Sequence, residues 1–285
     1  MKNLTALMSS YVRAYHDTNS NIKIYSDMSK EILGKDYDKI TGYLSAGISY
    51  FTSDYKGLDP VNWIVNNVLA PSVLARSSFN FKHLQNEIKL GLKQYLILAS
   101  GYDTSAFKVN NLVKVYEVDK EEVLNDKKER LKNIDKTNIN YVGADLTSNW
   151  TLKLLETDFD KNKKTFVSLL GISYYLDKAV FKELVKKISD IIPYGSGILF
   201  DAPDEYFDNK IKGLAFSSDE EMKSFYNDKD IDDIAAYSST LIYEKLDYID
   251  INNFYFYNYN TLNPNNQIIA KKGVKYIYLV NFWNI

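Results

Sequence analysis

Two carboxylates and a glycine-containing turn define the chemistry open to this sequence. The apolar run Tyr95-Leu96-Ile97-Leu98 breaks at Ala99-Ser100-Gly101-Tyr102-Asp103-Thr104. A second apolar run, Val115-Tyr116-Glu117-Val118-Asp119, ends in acids. This is the layout of a nucleotide-binding β-turn-α-β unit. The backbone approaches the ligand at the glycine, and a carboxylate at the end of the second strand accepts hydrogen bonds from ribose hydroxyls. Only one of Glu117 and Asp119 need face a ribose, and the other is expected to be a surface acid or a helix cap. A third acid follows in Tyr141-Val142-Gly143-Ala144-Asp145-Leu146. There a carboxylate can accept from an adenine amino group while the next residue packs on the ring, or it can cap the following helix.

The elements that must hold these residues can be read from periodicity. Strands are expected at 94–99, 113–118, 139–143, 165–170 and 196–201, with helices at 120–133, 149–156 and 177–192 between them. Strands separated by ten to fifteen helical residues imply parallel pairing through crossovers. Residues 1–90 read as a helical amino-terminal cap with breaks near Gly34, Gly57 and Pro60. Residues 94–202 form the core, and 203–240 read as a charged helical insertion or lid. In 241–285, alternation over 241–250 and 274–283 predicts an antiparallel edge pair joined through the polar loop Asn263-Pro264-Asn265-Asn266. The expected fold is therefore α/β: a doubly wound, Rossmann-like mixed sheet of methyltransferase type, in a single domain.

Composition narrows the function. The chain has 285 residues, a formal net charge of −2 and no cysteine. With the lysines spread along the sequence, no basic footprint argues for nucleic acid. No apolar stretch approaches a membrane span, and residues 1–10 do not read as a signal peptide. The lack of cysteine removes disulfides and thiolate sites and suits the cytoplasm. With only His16 and His83, no multi-histidine metal site is expected. The 24 tyrosines and 14 phenylalanines, including Phe254-Tyr255-Phe256-Tyr257-Asn258-Tyr259, read mainly as strand-forming aromatics. A tyrosine-lined substrate pocket is the sharper alternative.

The run from Tyr95 to Asp201 resembles the leucine carboxyl methyltransferase family of S-adenosylmethionine-dependent O-methyltransferases, including its bacterial small-molecule branch. Ile97-Leu98-Ala99-Ser100-Gly101-Tyr102-Asp103-Thr104 matches the family's glycine signature. Tyr116-Glu117-Val118-Asp119 before Lys127-Lys128-Glu129-Arg130, then Val142-Gly143-Ala144-Asp145-Leu146 and Ser173-Tyr174-Tyr175-Leu176, continue the match. Upstream, Leu74-Ala75-Arg76 stands where the family has an arginine, and Thr5-Ala6, Arg13-Ala14 and Tyr25-Ser26-Asp27 are similar to the amino-terminal helices of bacterial members.

The resemblance implies S-adenosylmethionine as cofactor, S-adenosylhomocysteine as product and a small-molecule methyl acceptor. It assigns the ribose to Asp119, the adenine to Asp145 and Leu146, and the methionyl carboxylate to Arg76. Gly101 takes the backbone turn, and Ala99, Ser100, Asp103, Glu117, Val118 and Leu170 complete the expected cofactor site. Tyr11, Tyr15, Tyr174 and Tyr175 are candidates for an acceptor pocket. Two positions depart from the family: Ala99 replaces the first signature glycine, and Leu170 replaces a glutamate at the end of the fourth strand. A non-catalytic descendant with an altered ligand is thus the competing reading. A nicotinamide-dependent dehydrogenase is disfavoured by the single-glycine turn and the antiparallel late strands.

Overall fold

Strands β1 (Gln94–Leu98), β2 (Lys114–Asp119), β3 (Ile139–Gly143), β4 (Thr165–Leu169), β5 (Gly197–Pro203), β6 (Thr240–Leu246) and β7 (Val274–Asn281) form one sheet. Their order in space is β3-β2-β1-β4-β5-β7-β6. This computed structural model describes residues 4–134, 138–208, 221–237 and 240–281. The first five strands run parallel, and β7 is antiparallel to both of its neighbours, β5 and β6. The chain winds outward from β1 through β2 to β3, then returns to place β4 on the other side of β1. That reversal opens a crevice beyond the carboxyl ends of β1 and β4, the place where sheets of this type bind ligands.

Every residue of β1, β4 and β5 is buried. Strands covered on both faces read as near-continuous apolar runs rather than alternation, and Tyr95–Leu98, Phe166–Val167 and Ile198–Phe200 supply them. One face packs on the amino-terminal helices α1 (Leu4–Asn19), α2 (Ser29–Leu33), α3 (Asp36–Ala46), α4 (Ile48–Phe51), α5 (Pro60–Ile64) and α6 (Ala70–Lys89). Leu7, Tyr11, Leu74, Phe79 and Leu84 are fully buried there. The other face carries α8 (Trp150–Leu155), α9 (Lys178–Ser189) and α10 (Asp228–Tyr237), through Trp150, Phe181, Val185, Ile188 and Ile231. Helix α7 (Glu121–Arg130) connects β2 to β3. Its acids in the first turn and bases in the last suit the helix dipole.

The expected breaks hold near Gly34, where φ is +49°, and at Pro60, which opens α5 behind an Asp59 cap on the Asn62 N–H at 2.9 Å. The late strands do form an antiparallel pair with β6 outermost, but their connection differs from the expected loop. β6 stops at Leu246 because Asp247 and Asp250 form a reciprocal capping box that starts α11 (Tyr248–Ile251). The aromatic run then continues as a π turn, Asn252–Phe256, and α12 (Tyr257–Leu262). Ile251, Phe256 and Tyr259 point inward while Phe254 and Tyr257 are exposed, a helical rather than a strand pattern. Asn252 and Asn260 each exchange two side-chain hydrogen bonds with the backbone of Ala270 and Ile268, at 2.8–2.9 Å. Of the expected 203–240 insertion, 209–220 and 238–239 lie outside the described residues; 221–227 has no regular structure and, among the described residues, only α10 is helical. Among the described residues, no helix is long and apolar enough to cross a membrane.

His16, only 2% exposed on α1, accepts the Ile24 N–H through Nε2 at 2.9 Å. Burial pulls its pKa down to about 4, helped by Lys23 and opposed by Asp17. The folded state therefore holds His16 neutral where the unfolded chain, titrating near 6.5, would take a proton. Stability is complete above that value and is lost as pH falls through 6.5 toward 4, by about 3 kcal/mol from this residue. In urea titrations across that range, His16→Gln should lose correspondingly less stability on acidification than the wild type.

Candidate functional site

The turn after β1 depends on two left-handed residues, Ala99 at φ +51° and Gly101 at +45°. Glycine accepts that region freely, whereas the methyl group of alanine costs roughly 1–2 kcal/mol there. Asp103 closes the turn: its N–H donates to the Ser100 carbonyl at 2.8 Å, and its Oδ1 accepts the Ser105 N–H at 2.6 Å. The β1–β2 register, Leu98 against Val118, brings Asp119 alongside. Asp119 Oδ2 accepts the Gly101 N–H and Oδ1 the Lys120 N–H, both at 2.7 Å. Burial pushes this carboxyl above its ordinary range, and the two backbone donors partly offset the shift. Each oxygen still has lone-pair capacity for a ligand hydroxyl.

Glu117 is neither a surface acid nor a cap. Residues two apart on a strand share a face, so Glu117 lies one step inward of Asp119 and is sealed beneath α7. Lys127 Nζ donates to Glu117 Oε2 and to the Asp103 carbonyl, both at 2.5 Å, with lysine and glutamate side chains wholly buried. Burial raises the Glu117 carboxyl against the pull of Lys127. Val118 is likewise fully buried, in the core on the α8–α9 side.

Arg76 reaches the opposite end of the crevice from α6. Its Nη2 donates to Ser9 Oγ at 2.7 Å, and Nη1 lies 3.4 Å from the Tyr174 hydroxyl and 3.5 Å from Asp201 Oδ2. Burial opposes the charge, but Tyr174 and Asp201 together hold the guanidinium pKa above its ordinary value. Gly171, at φ +69°, makes room for it: a Cβ there would sit 2.8 Å from Arg76 Nη1. Tyr174 and Tyr175 form a short helical turn after β4, with rings 4.5 Å apart and edge-to-face.

A cavity of about 240 Å³ joins these parts. Of the residues singled out in the sequence, Arg76, Ala99, Ser100, Gly101, Asp103, Asp119, Leu170, Tyr174 and Tyr175 line it. The others lie elsewhere. Tyr11 and Tyr15 pack against each other in the helical core, Tyr11 bonded to Thr41 at 2.8 Å. Asp145, exposed beyond β3, spends Oδ1 on its own turn, accepting from the N–H and hydroxyl of Thr147 at 2.8 and 2.7 Å. Leu146 follows it outside the lining.

Helix α1 supplies a wall that the motifs did not reveal. Thr5, Ala6, Ser9, Ser10 and Arg13 share one face of α1 and line the cavity. Arg13 Nε binds Asp27 Oδ2 at 2.8 Å and Ser29 Oγ at 2.9 Å. Ser10 Oγ at 2.9 Å and Arg13 Nη2 at 3.3 Å both donate to the Tyr102 carbonyl, tying α1 to the turn. The available signal was the pairing of Arg13-Ala14 with Tyr25-Ser26-Asp27, two likenesses that meet here as one buried ion pair.

The sheet order, and a cavity where the carboxyl ends of β1, β2 and β4 meet, define a Rossmann-like domain of methyltransferase type. The sequence comparisons make this specific. The leucine carboxyl methyltransferase family model matches residues 6–189, so the chain belongs to that family of S-adenosylmethionine-dependent methyltransferases. It is 33% identical, across 97% of both chains, to "Putative S-adenosyl-L-methionine-dependent methyltransferase YktD" of Bacillus subtilis (strain 168). Its fold is similar to a solved protein of Streptomyces avermitilis described as a duf574 family protein, at TM-score 0.61 and 14% identity over 97% of both chains. It is also similar to magnesium protoporphyrin IX methyltransferase of Synechocystis PCC 6803 with bound S-adenosylhomocysteine, at TM-score 0.50 and 10% identity over 86% of this chain and 99% of that one.

Ala99→Gly should release the left-handed strain and raise stability by about 1 kcal/mol, less the extra unfolded-state entropy of glycine. A higher thermal midpoint for the variant is the measurement that checks it.

Proposed function

We propose that the protein transfers a methyl group from S-adenosylmethionine to an oxygen of a small molecule, with Asp119 holding the ribose and Arg76 the methionyl carboxylate. The observation that carries this reading is their placement. An oxygen-rich acceptor and a buried cation stand at opposite ends of one cavity, with the Ala99–Asp103 turn between them. The residues present fit the cofactor. Asp119 can accept from ribose hydroxyls, and the planar fork of Arg76 can pair with a carboxylate. Gly171 leaves open the space that a side chain would take from the guanidinium.

When bound, S-adenosylmethionine supplies an activated methyl group on a sulfonium. The protein has to align the acceptor and keep water away. Ser9, Ser10 and Thr5 close the cavity from α1, and Leu170 and Ile172 give it an apolar side. No histidine lines the cavity, and burial keeps the Tyr174 phenol protonated, its pKa pushed up despite Arg76. Tyr174 is therefore a hydrogen-bond partner and not a base. A carboxylate acceptor, already ionised at neutral pH, needs no base and is favoured over a hydroxyl, which does.

Asp119→Ala and Arg76→Ala should each weaken S-adenosylhomocysteine binding about tenfold or more in calorimetric titration, with the fold preserved. The basis is that a hydrogen bond to a charged group contributes about 1.5–3 kcal/mol. Wild-type affinity in both variants would overturn the assignment of these two residues, and no binding by the wild type would favour the altered-ligand descendant. With a carboxylate acceptor, the methylation rate should stay level between about pH 6 and 8; a hydroxyl acceptor would give a rate that rises with pH.

A further inference from the structure

The carboxylate that the family places at the end of β4 has a counterpart here on the adjacent strand. Leu169 pairs with Phe200 in the β4–β5 register, so Leu170 and Asp201 occupy the next step on neighbouring strands. Asp201 is 2% exposed and does not line the cavity. It acts on two groups that do. Oδ1 accepts the Gly171 N–H at 2.6 Å, and Oδ2 faces Arg76 Nη1 at 3.5 Å. Its backbone carbonyl also accepts the Ser173 hydroxyl at 2.7 Å, fixing the start of the turn that carries Tyr174. One buried carboxylate therefore joins α6, the β4 turn and β5 behind the cation end of the crevice.

We infer that Asp201 is the positioning residue for the amino-acid end of the cofactor, holding Arg76 and the Gly171 turn in place of the charge that Leu170 lacks. This rests on the reading of Arg76 given under Proposed function. The geometry makes the charge essential to the arrangement. An asparagine could keep its oxygen on the Gly171 N–H only by turning its NH2 group toward the guanidinium, donor against donor. Flipped, it would set NH2 against the Gly171 N–H instead. One orientation costs Arg76 an acceptor and the other costs the Gly171 N–H its acceptor, and in both the charge facing the guanidinium is gone while packing volume is conserved.

The test is titration of Asp201→Asn with two ligands that share the adenosyl thioether. S-adenosylhomocysteine carries the α-amino-acid group; 5′-methylthioadenosine does not. The expected result is a dissociation constant raised about tenfold for S-adenosylhomocysteine and unchanged within about twofold for 5′-methylthioadenosine. Equal weakening of both ligands, or of neither, overturns the inference. Adding Leu170→Glu to Asp201→Asn restores a carboxylate one strand away and should recover about tenfold in S-adenosylhomocysteine affinity. The gain from Leu170→Glu alone should be smaller than its gain in the Asp201→Asn background, because Asp201 already supplies the charge; the same gain in both backgrounds overturns the inference. If Asp201→Asn does not fold, Asp201→Glu, which keeps the charge but displaces it, carries the test. Weaker binding of S-adenosylhomocysteine with 5′-methylthioadenosine unchanged within about twofold supports the role of Asp201, and equal weakening of both, or of neither, overturns it. A wild type that binds neither ligand counts instead against the cofactor reading itself.

Discussion

The buried pair of Lys127 and Glu117 is the contact on which the crevice depends. Both side chains lie wholly out of water, an arrangement that stabilises only when the remaining donors are also satisfied. The Asp103 carbonyl takes one of those donors, so the cost of burying the lysine is recovered partly by fixing the turn after β1. Helix α7, strand β2 and the cavity-lining turn thereby become one unit. Asp119 inherits its position from this unit, since its carboxylate binds a backbone N–H of the same turn.

The opposite wall is organised by the same physics. Burial works against both Arg13 and Asp27, yet the Asp27 carboxyl stays below its ordinary range because Arg13 and Ser29 hold it. That pair anchors α1 while its neighbours grip the Tyr102 carbonyl. The crevice thus lies between two desolvated ion pairs, each tied to a carbonyl of one four-residue stretch, Ser100–Asp103. That stretch is hydrogen-bonded from both sides, which suits a site that works by alignment.

Much of this was legible in the sequence, for reasons that can be named. The five parallel strands were found to within about two residues, because strands buried on both faces are mostly apolar runs bounded by helical periodicity. Asp119, Arg76 and the turn stood out through spacing and family likeness. The aromatic run was misread because phenylalanine and tyrosine favour strands; the Asp247–Asp250 box that makes it helical is a short acidic signal. Tyr11 and Tyr15 looked like pocket residues by type, but on α1 they fall on the face turned to the helical core. Arg13, Ser9 and Ser10 were missed as lining residues because each is ordinary in a helix and meaningful only beside the turn it touches.

The left-handed Ala99 has a consequence in genetics. Every alanine codon is one nucleotide from a glycine codon, so the strain in this turn could be removed by a single base change. A chain selected for stability alone would have an easy route to glycine. The methyl group lines the cavity, so the same single base change that relieved the strain would also enlarge the crevice, and stability and crevice shape are set by one codon position.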